Sequence, residues 1–284
     1  MANLIKGIDV SIIQGNIDWQ AVVASGIQFC IMRCGVGNGG IDSNYAKNVA
    51  GAKAAGIKVA CYHFIYPLPT IPSQPLRDPI KQAQYHFNAS LGELTCVDCE
   101  WPAPQDWSKW GCNSAQLNQW MLTYLQEYER LSGRKPLIYT YPNWADNVGF
   151  QAAFSQYPLW IASYQANPDI PHPWSDWVLW QNTGGGGHLP TTGAPVDTDL
   201  AKDLSLWDTT AAPTNEPIPD HQPDPPINSN PVPAPITPPP AVTPTSPPVI
   251  MVPPTTNTVS KDFNIVMGLF RALLNLFKEE LPKL

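Results

Sequence analysis

The chain has 284 residues, 43% of them hydrophobic, with 11 Trp, 10 Tyr and a formal net charge of -7, enough to bury a large core. Residues 1–210 carry 12 basic against 17 acidic side chains and no run of Lys or Arg, so the electrostatic footprint of a nucleic-acid partner is missing. No stretch of 18 apolar residues is present to cross a bilayer.

The N-terminus, "MANLIKGIDVS", lacks the apolar core and cleavage site of a signal peptide. The expectation is a protein made in the cytoplasm. From residue 4 onward, short apolar runs alternate with helical patterns: "LIKGIDV", "DWQAVVASG", "QFCIMRC", "NYAKNVAGAKAAG" and "IKVACYHF". Such alternation predicts parallel strands joined by crossover helices. It continues with "DPIKQAQYHFNASLG" as helix, "LTCVDCE" as strand, "SAQLNQWMLTYLQEYERLSG" as a helix stopped by Gly133, and "PLIYTY" as strand. A further helix is expected around Pro142 to Phe154, then the strand "PLWIASY". After that the helices stop. Loops alone connect "PLWIASY" to "DWVLWQ" and, through "NTGGGGHLPTTGAP", to "VDTDL".

Eight strands and about five helices describe an irregular (β/α)8 TIM-like barrel in residues 1–210. The rival, an open doubly wound sheet, finds no Gly-x-Gly-x-x-Gly opening a helix, and Gly184 to Gly187 are expected to form a flexible loop. Six cysteines, Cys30, Cys34, Cys61, Cys96, Cys99 and Cys112, sit mostly inside apolar runs and read as reduced core residues. Cys96 and Cys99 form a C-x-x-C, but no second pair accompanies it, so neither a metal nor a cofactor is expected.

In such barrels chemistry gathers at the C-terminal ends of the strands. Acids fall there three times: Asp9 ending the first strand, Asp98 and Glu100 in "TCVDCEW", and Asp197 in the last strand. At i and i+2 of a strand, Asp98 and Glu100 would share a face and push each other's pKa values apart. No Ser-His-Asp or Cys-His arrangement stands out, and His63 could line the mouth or be a structural histidine. A site built of carboxylates suits glycoside hydrolysis, in which one protonated acid donates to the leaving oxygen. Sugars also favour aromatic platforms and planar amides, and Tyr62, Trp101, Tyr139, Trp160, Tyr164 and Gln181 fall at or near strand ends. Trp180 is placed there too.

The series "GIDVSIIQGNIDW", "GIKVACYHF", "VDCE", "PLIYT", "PLWIASY", "VLWQNT" and "VDTDL" resembles the successive motifs of the glycoside hydrolase family 25 muramidases, over residues 5 to about 207. The resemblance implies cleavage of the β-1,4 bond between N-acetylmuramic acid and N-acetylglucosamine in peptidoglycan. Carried over by position, it makes Glu100 the general acid, Asp98 its partner, and Asp9 and Asp197 the other acids, with Asp199 in reserve if the last strand is offset. An orienting role toward the substrate's own 2-acetamido group fits Asp98 better than a nucleophile's. The proline-rich "PLPTIPSQPLRDP" after the third strand departs from the family pattern. A chitinase-like barrel matches only halfway, because Cys96 stands where its central aspartate would be. A wall-binding or virion structural barrel without catalysis is the other alternative, and retention of all four acids argues against it.

Residues 211–259 contain 17 of the chain's 33 prolines and read as an extended linker, reaching on the order of 150 Å at about 3.1 Å per residue. Residues 260–284 resume helical periodicity, with Phe263, Met267, Phe270, Leu274, Phe277 and Leu281 at heptad spacing. That amphipathic helix predicts self-association, or docking on a virion or membrane partner. The expected setting is wall lysis after release, as a phage lysin or virion-associated enzyme.

Overall fold

The computed structural model describes residues 4–69, 75–100, 107, 109, 111–187 and 194–208. In chain order the elements are β1 (Ile5–Val10), α1 (Trp19–Ala24), β2 (Phe29–Val36), β3 (Gly40–Ile41), α2 (Tyr45–Ala54), β4 (Lys58–Phe64), α3 (Pro79–Ala89), β5 (Leu94–Asp98), α4 (Ser114–Ser132), β6 (Leu137–Thr140), α5 (Pro142–Val148), β7 (Leu159–Ala162), β8 (Leu179–Gly187) and β9 (Val196–Ala201). Short 3-10 turns lie at Ile12–Gln14, Ala152–Gln156 and Ser205–Trp207.

The helices start where the sequence supplies caps. Asp18 accepts from the amides of Gln20 and Ala21 at the head of α1, and Asp78 does the same for Ile80 and Lys81 in front of Pro79 in α3. Asn113 and Gln116 form a reciprocal capping box on α4, satisfying amides the first turn leaves unpaired. Gly133 stops α4 at φ 69°, the left-handed position that glycine occupies at little cost.

The sheet runs β1-β9-β8-β7-β6-β5-β4-β2, and β1 pairs with β2 to close it, while β3 adds a hairpin at the edge of β2. This is the expected eight-stranded barrel, with five α-helices among the described residues. Strands β1, β2 and β4 to β8 are parallel to their neighbours, whereas β9 is antiparallel to both β1 and β8. A strand that returns from β8 without a crossover helix must run backwards.

In-register partners share a face of the sheet. The lumen takes Phe29, Ile31, Ala60, Tyr139 and Trp160, within one continuous apolar cluster. Ile8, Val10, Cys30, Met32, Cys34, Val59 and Cys61 form a second cluster with Trp19 and Val22 of α1 and Tyr45, Val49 and Ala52 of α2. The end of the barrel where the strands begin is stopped by Trp207, whose indole donates to the Val59 carbonyl at 2.8 Å and packs on Phe29 with ring centroids 5.3 Å apart. All six cysteines are free and buried, as their apolar settings predict.

Three expectations need correction. The helix expected around Pro142 to Phe154 ends at Val148, because Gly149 turns the chain at φ 62°, and a separate 3-10 turn follows. The tetraglycine is not a loop: β8 continues through Gly184 to Gly187, and Gly187 pairs with Val196. The strand "LTCVDCE" ends at Asp98, so Glu100 stands just beyond it. Trp101, the linker at 211–259 and the helix expected over 260–284 lie outside the described residues.

Candidate active site

The mouth of the barrel is built where strands end on acids. Asp9 of β1 lies directly opposite Asp197 of β9, and Gly7 opposite Asp199, so one antiparallel ladder delivers three carboxylates to the lumen. Asp98 ends β5 in register with Tyr139 of β6. The amide of Cys99 bonds the Tyr139 carbonyl at 2.9 Å, which carries the ladder one residue further and fixes where Glu100 emerges. Asp98 and Glu100 are each 5% exposed, and Asp9 is 8% exposed.

Gln181 of β8 ties these elements together. Its Nε2 donates to Asp9 Oδ2 at 2.8 Å, while its Oε1 accepts from the hydroxyls of Tyr139 at 2.9 Å and Tyr164 at 3.0 Å. Trp160 Nε1 donates to Asp199 Oδ1 at 2.8 Å. The Gly185 amide donates to Asp197 Oδ1. Of the residues singled out as sugar platforms, Trp160 and Gln181 are only 2% exposed and Tyr139 is 5% exposed. They form the supporting floor beneath the carboxylates, and their faces are covered. Tyr62 and Tyr164 are half-buried at the rim, and Tyr62 meets Trp160 edge-on with centroids 6.2 Å apart. Trp180 is turned away, with its indole on the Ser163 carbonyl.

Burial is the largest influence on the titration of all five acids. It pushes Glu100 up to about 8, reinforced by the negative field of Asp197. Asp98 is raised first by burial and then by Glu100 and Asp9, with Arg33 acting the other way. Asp9 is raised by burial and by Asp197, partly offset by the Gln181 hydrogen bond. Asp199 is raised by burial and by Asp9, and Asp197 by burial, with the Gly185 amide opposing. These groups therefore hold fewer than five negative charges at neutral pH, and Glu100 keeps its proton. Asp98 Oδ1 and Glu100 Oε2 are buried without a hydrogen-bond partner among the described residues.

Arg33 and Asp42 are the functional residues that sequence reasoning missed. Arg33 of β2 pairs in register with Tyr62, and its Nε bonds Asp42 Oδ2 at 3.0 Å. Asp42 also accepts from the Ile12 amide at 2.8 Å. The pair therefore places a cation near Asp98 and anchors the turn that follows Asp9. Its signal was the hairpin-forming "GVGNGGID" between the two residues, which folds Asp42 back on β2. His63, which could have lined the mouth, faces the helices: it is wholly buried, its Nδ1 is 3.0 Å from the Tyr124 hydroxyl, and burial lowers its pKa to about 3.

A closed eight-stranded barrel with five acids gathered at one end belongs to the (β/α)8-like class. The profile of glycosyl hydrolases family 25 matches residues 8–188, and the chain belongs to that family. Lysozyme M1 of Streptomyces globisporus is 25% identical over 192 residues, covering 64% of this chain and 63% of its own length. The autolytic lysozyme of Clostridium acetobutylicum is 29% identical over 164 residues, covering 56% of this chain and 45% of its own length. The chain thus spans less than two thirds of either relative. An N,O-diacetylmuramidase of Chalaropsis sp is 26% identical over 193 residues, covering 63% of this chain and 88% of its own length. In fold, the chain is similar to a muramidase from Trichobolus zukalii, with a TM-score of 0.62 at 24% identity, covering 72% of this chain and 100% of that one.

Proposed function

We propose that the protein is a peptidoglycan N-acetylmuramidase that cleaves the β-1,4 bond between N-acetylmuramic acid and N-acetylglucosamine. The observation that carries this reading is Glu100, buried at the mouth of the barrel just beyond Asp98 with its Oε2 unpartnered among the described residues, a setting that pushes its pKa up to about 8. Family membership and similarity to lysozymes and diacetylmuramidases support it.

Glu100 donates its proton to the glycosidic oxygen as the bond to C1 breaks. Asp98 acts on the sugar that keeps C1. Its unpartnered Oδ1 accepts the N–H of the 2-acetamido group, whose carbonyl oxygen then closes on C1. Water opens that ring, and the Glu100 carboxylate takes the water's proton back. Arg33 favours the charged form of Asp98, while Asp9 and Asp197 supply negative field to the cationic transition state. Gln181, Tyr139, Tyr164 and Trp160 hold those acids in place, and Tyr62 offers a ring to the bound glycan. Residues 260–284 serve self-association or a virion or membrane partner, and the enzyme reaches the wall after release from the cell that makes it.

Digestion of purified peptidoglycan tests the reading. Muramic acid should appear at the new reducing ends, with chitin cleaved poorly. Preferred hydrolysis of chitin would move the protein to a different glycosidase class. Free amino groups would mean the wrong bond, and wall binding without new ends would mean a silent barrel.

A further inference from the structure

Behind the strands that carry Arg33 and Tyr62 lies a second cluster that the carboxylate chemistry does not use. Cys34 sits at the bulge of β2, where Arg33 pairs with Tyr62 and Gly35 with His63. Cys61 lies on β4, and His86 reaches in from α3. All three are wholly buried, and one ligand atom from each lies within 4.8 Å of the other two.

We propose that Cys34, Cys61 and His86 form a binding site for a divalent, thiophilic metal ion, with Zn2+ as the fitting member of that class. The charge balance selects it. Two thiolates and a neutral imidazole around a 2+ ion sum to zero, the one total that a site with no water contact tolerates without a further counter-ion. A monovalent ion would leave a buried negative charge, and a hard ion such as Mg2+ would find no carboxylate among these ligands.

The surroundings fit a ligand set. The Tyr124 hydroxyl stands 2.8 Å from His86 Nδ1 and fixes the ring with Nε2 toward the sulfurs, the supporting contact that metal-bound histidines usually have. The Thr95 hydroxyl lies 2.5 Å from His86 Nε2 and 3.2 Å from Cys61 Sγ, which sets both ligand atoms around one point, and it withdraws from Nε2 as the ion enters. Zinc bonds of about 2.3 Å to sulfur and 2.0 Å to nitrogen require ligand atoms roughly 3.5–3.8 Å apart, so the three groups need only draw together modestly. Binding releases the two thiol protons to solvent, including the one Cys34 now directs at the Tyr62 carbonyl at 3.3 Å. The ion would clamp β2, β4 and α3 together directly behind Arg33 and Tyr62.

Because the cluster has no water contact, metal must enter during folding. The experiment is to refold the full-length reduced chain from denaturant with one equivalent of Zn2+ or Co2+, then to remove loose metal by gel filtration in chelator. About one zinc per chain should remain, the melting temperature should exceed that of protein refolded without metal, and the cobalt form should show thiolate-to-metal charge transfer in the near ultraviolet. Cys34→Ser and Cys61→Ala should each weaken retention at least tenfold, whereas Cys112→Ser should not. Should a variant fail to refold, the wild-type cobalt spectrum decides. Less than a tenth of an equivalent retained with no thermal shift, a cobalt spectrum without thiolate bands, or equal retention by folded Cys34→Ser would each overturn the proposal.

Discussion

Gln181 donates to Asp9 across 2.8 Å from the adjoining side of β9, and its carbonyl oxygen is held by two tyrosine hydroxyls. The amide is thereby fixed in one orientation, with its N–H group aimed at a carboxylate it could not serve if flipped. Gln181→Leu leaves Asp9 without that donor and strands the hydroxyls of Tyr139 and Tyr164. Turnover of soluble muropeptides should fall on the order of 10²-fold with little change in KM. An unchanged kcat would remove Gln181 from the support of Asp9.

Glu100→Gln keeps the shape of the side chain but cannot donate the proton, so lysis should drop at least on the order of 10³-fold. The same variant should be more stable than wild type in alkaline buffer. The folded pKa of Glu100 lies near 8, above its ordinary 4.5. Its protonation therefore favours the folded state below about pH 4.5, and that contribution is lost as pH rises toward 8. Melting temperatures should diverge by about 2–4 °C for each kcal/mol released, and converge near pH 4. Parallel melting curves across that range would contradict the buried, protonated acid.

Activity of the wild type should decline as pH passes about 8, where Glu100 ionises. After burial, the negative charge of Asp197 is what raises it. Asp197→Asn should move the alkaline limb of kcat/KM toward lower pH, in addition to lowering its height. A limb that stays fixed would assign it to another group.

Gly184 carries no Cβ for a local reason: one built there would meet the Tyr164 hydroxyl at 2.5 Å and its ring at 2.7 Å. Gly184→Ala should push Tyr164 off Gln181 and cost roughly tenfold in rate by displacing the support of Asp9. Tyr164→Phe should reproduce most of that loss. Full activity in both would show that the tyrosine contact does not matter to the chemistry.

A chain stopped after Asp208 should hydrolyse soluble muropeptides as fast as the full-length protein, since every acid of the site precedes that point. The heptad stripe of residues 260–284 should make the full-length protein self-associate or bind particles or membranes. Replacing Phe270 and Leu274 with Asp should abolish that. Identical light-scattering mass and identical particle and membrane binding for the two would leave the segment without such a role.

Most of the barrel could be read from local patterns. The strand and helix periods place most elements, Gly133 marks the end of α4, and the acids at strand ends locate the mouth. What escaped depends on pairing between distant segments. Gly184 to Gly187 look like a loop in isolation and become strand only because Val196 pairs with Gly187. Trp160 looks like a platform, but its inward position is settled by the closure of β7 against β6 and β8, which sets its indole on Asp199. The Arg33–Asp42 contact waits on the β2–β3 hairpin. Cys34, Cys61 and His86 come from three elements, so no spacing rule could have grouped them.

The reversal of β9 also decides where the chain leaves the barrel. Seven strands climb toward the acids, and the eighth descends from Asp197 to Ala201, which pairs with Ile5 at the opposite end. There Trp207 closes the base and Lys58 meets Asp208. Asp208, the last described residue, therefore lies at the end of the barrel opposite the acids, so a body attached at that point would leave the mouth uncovered.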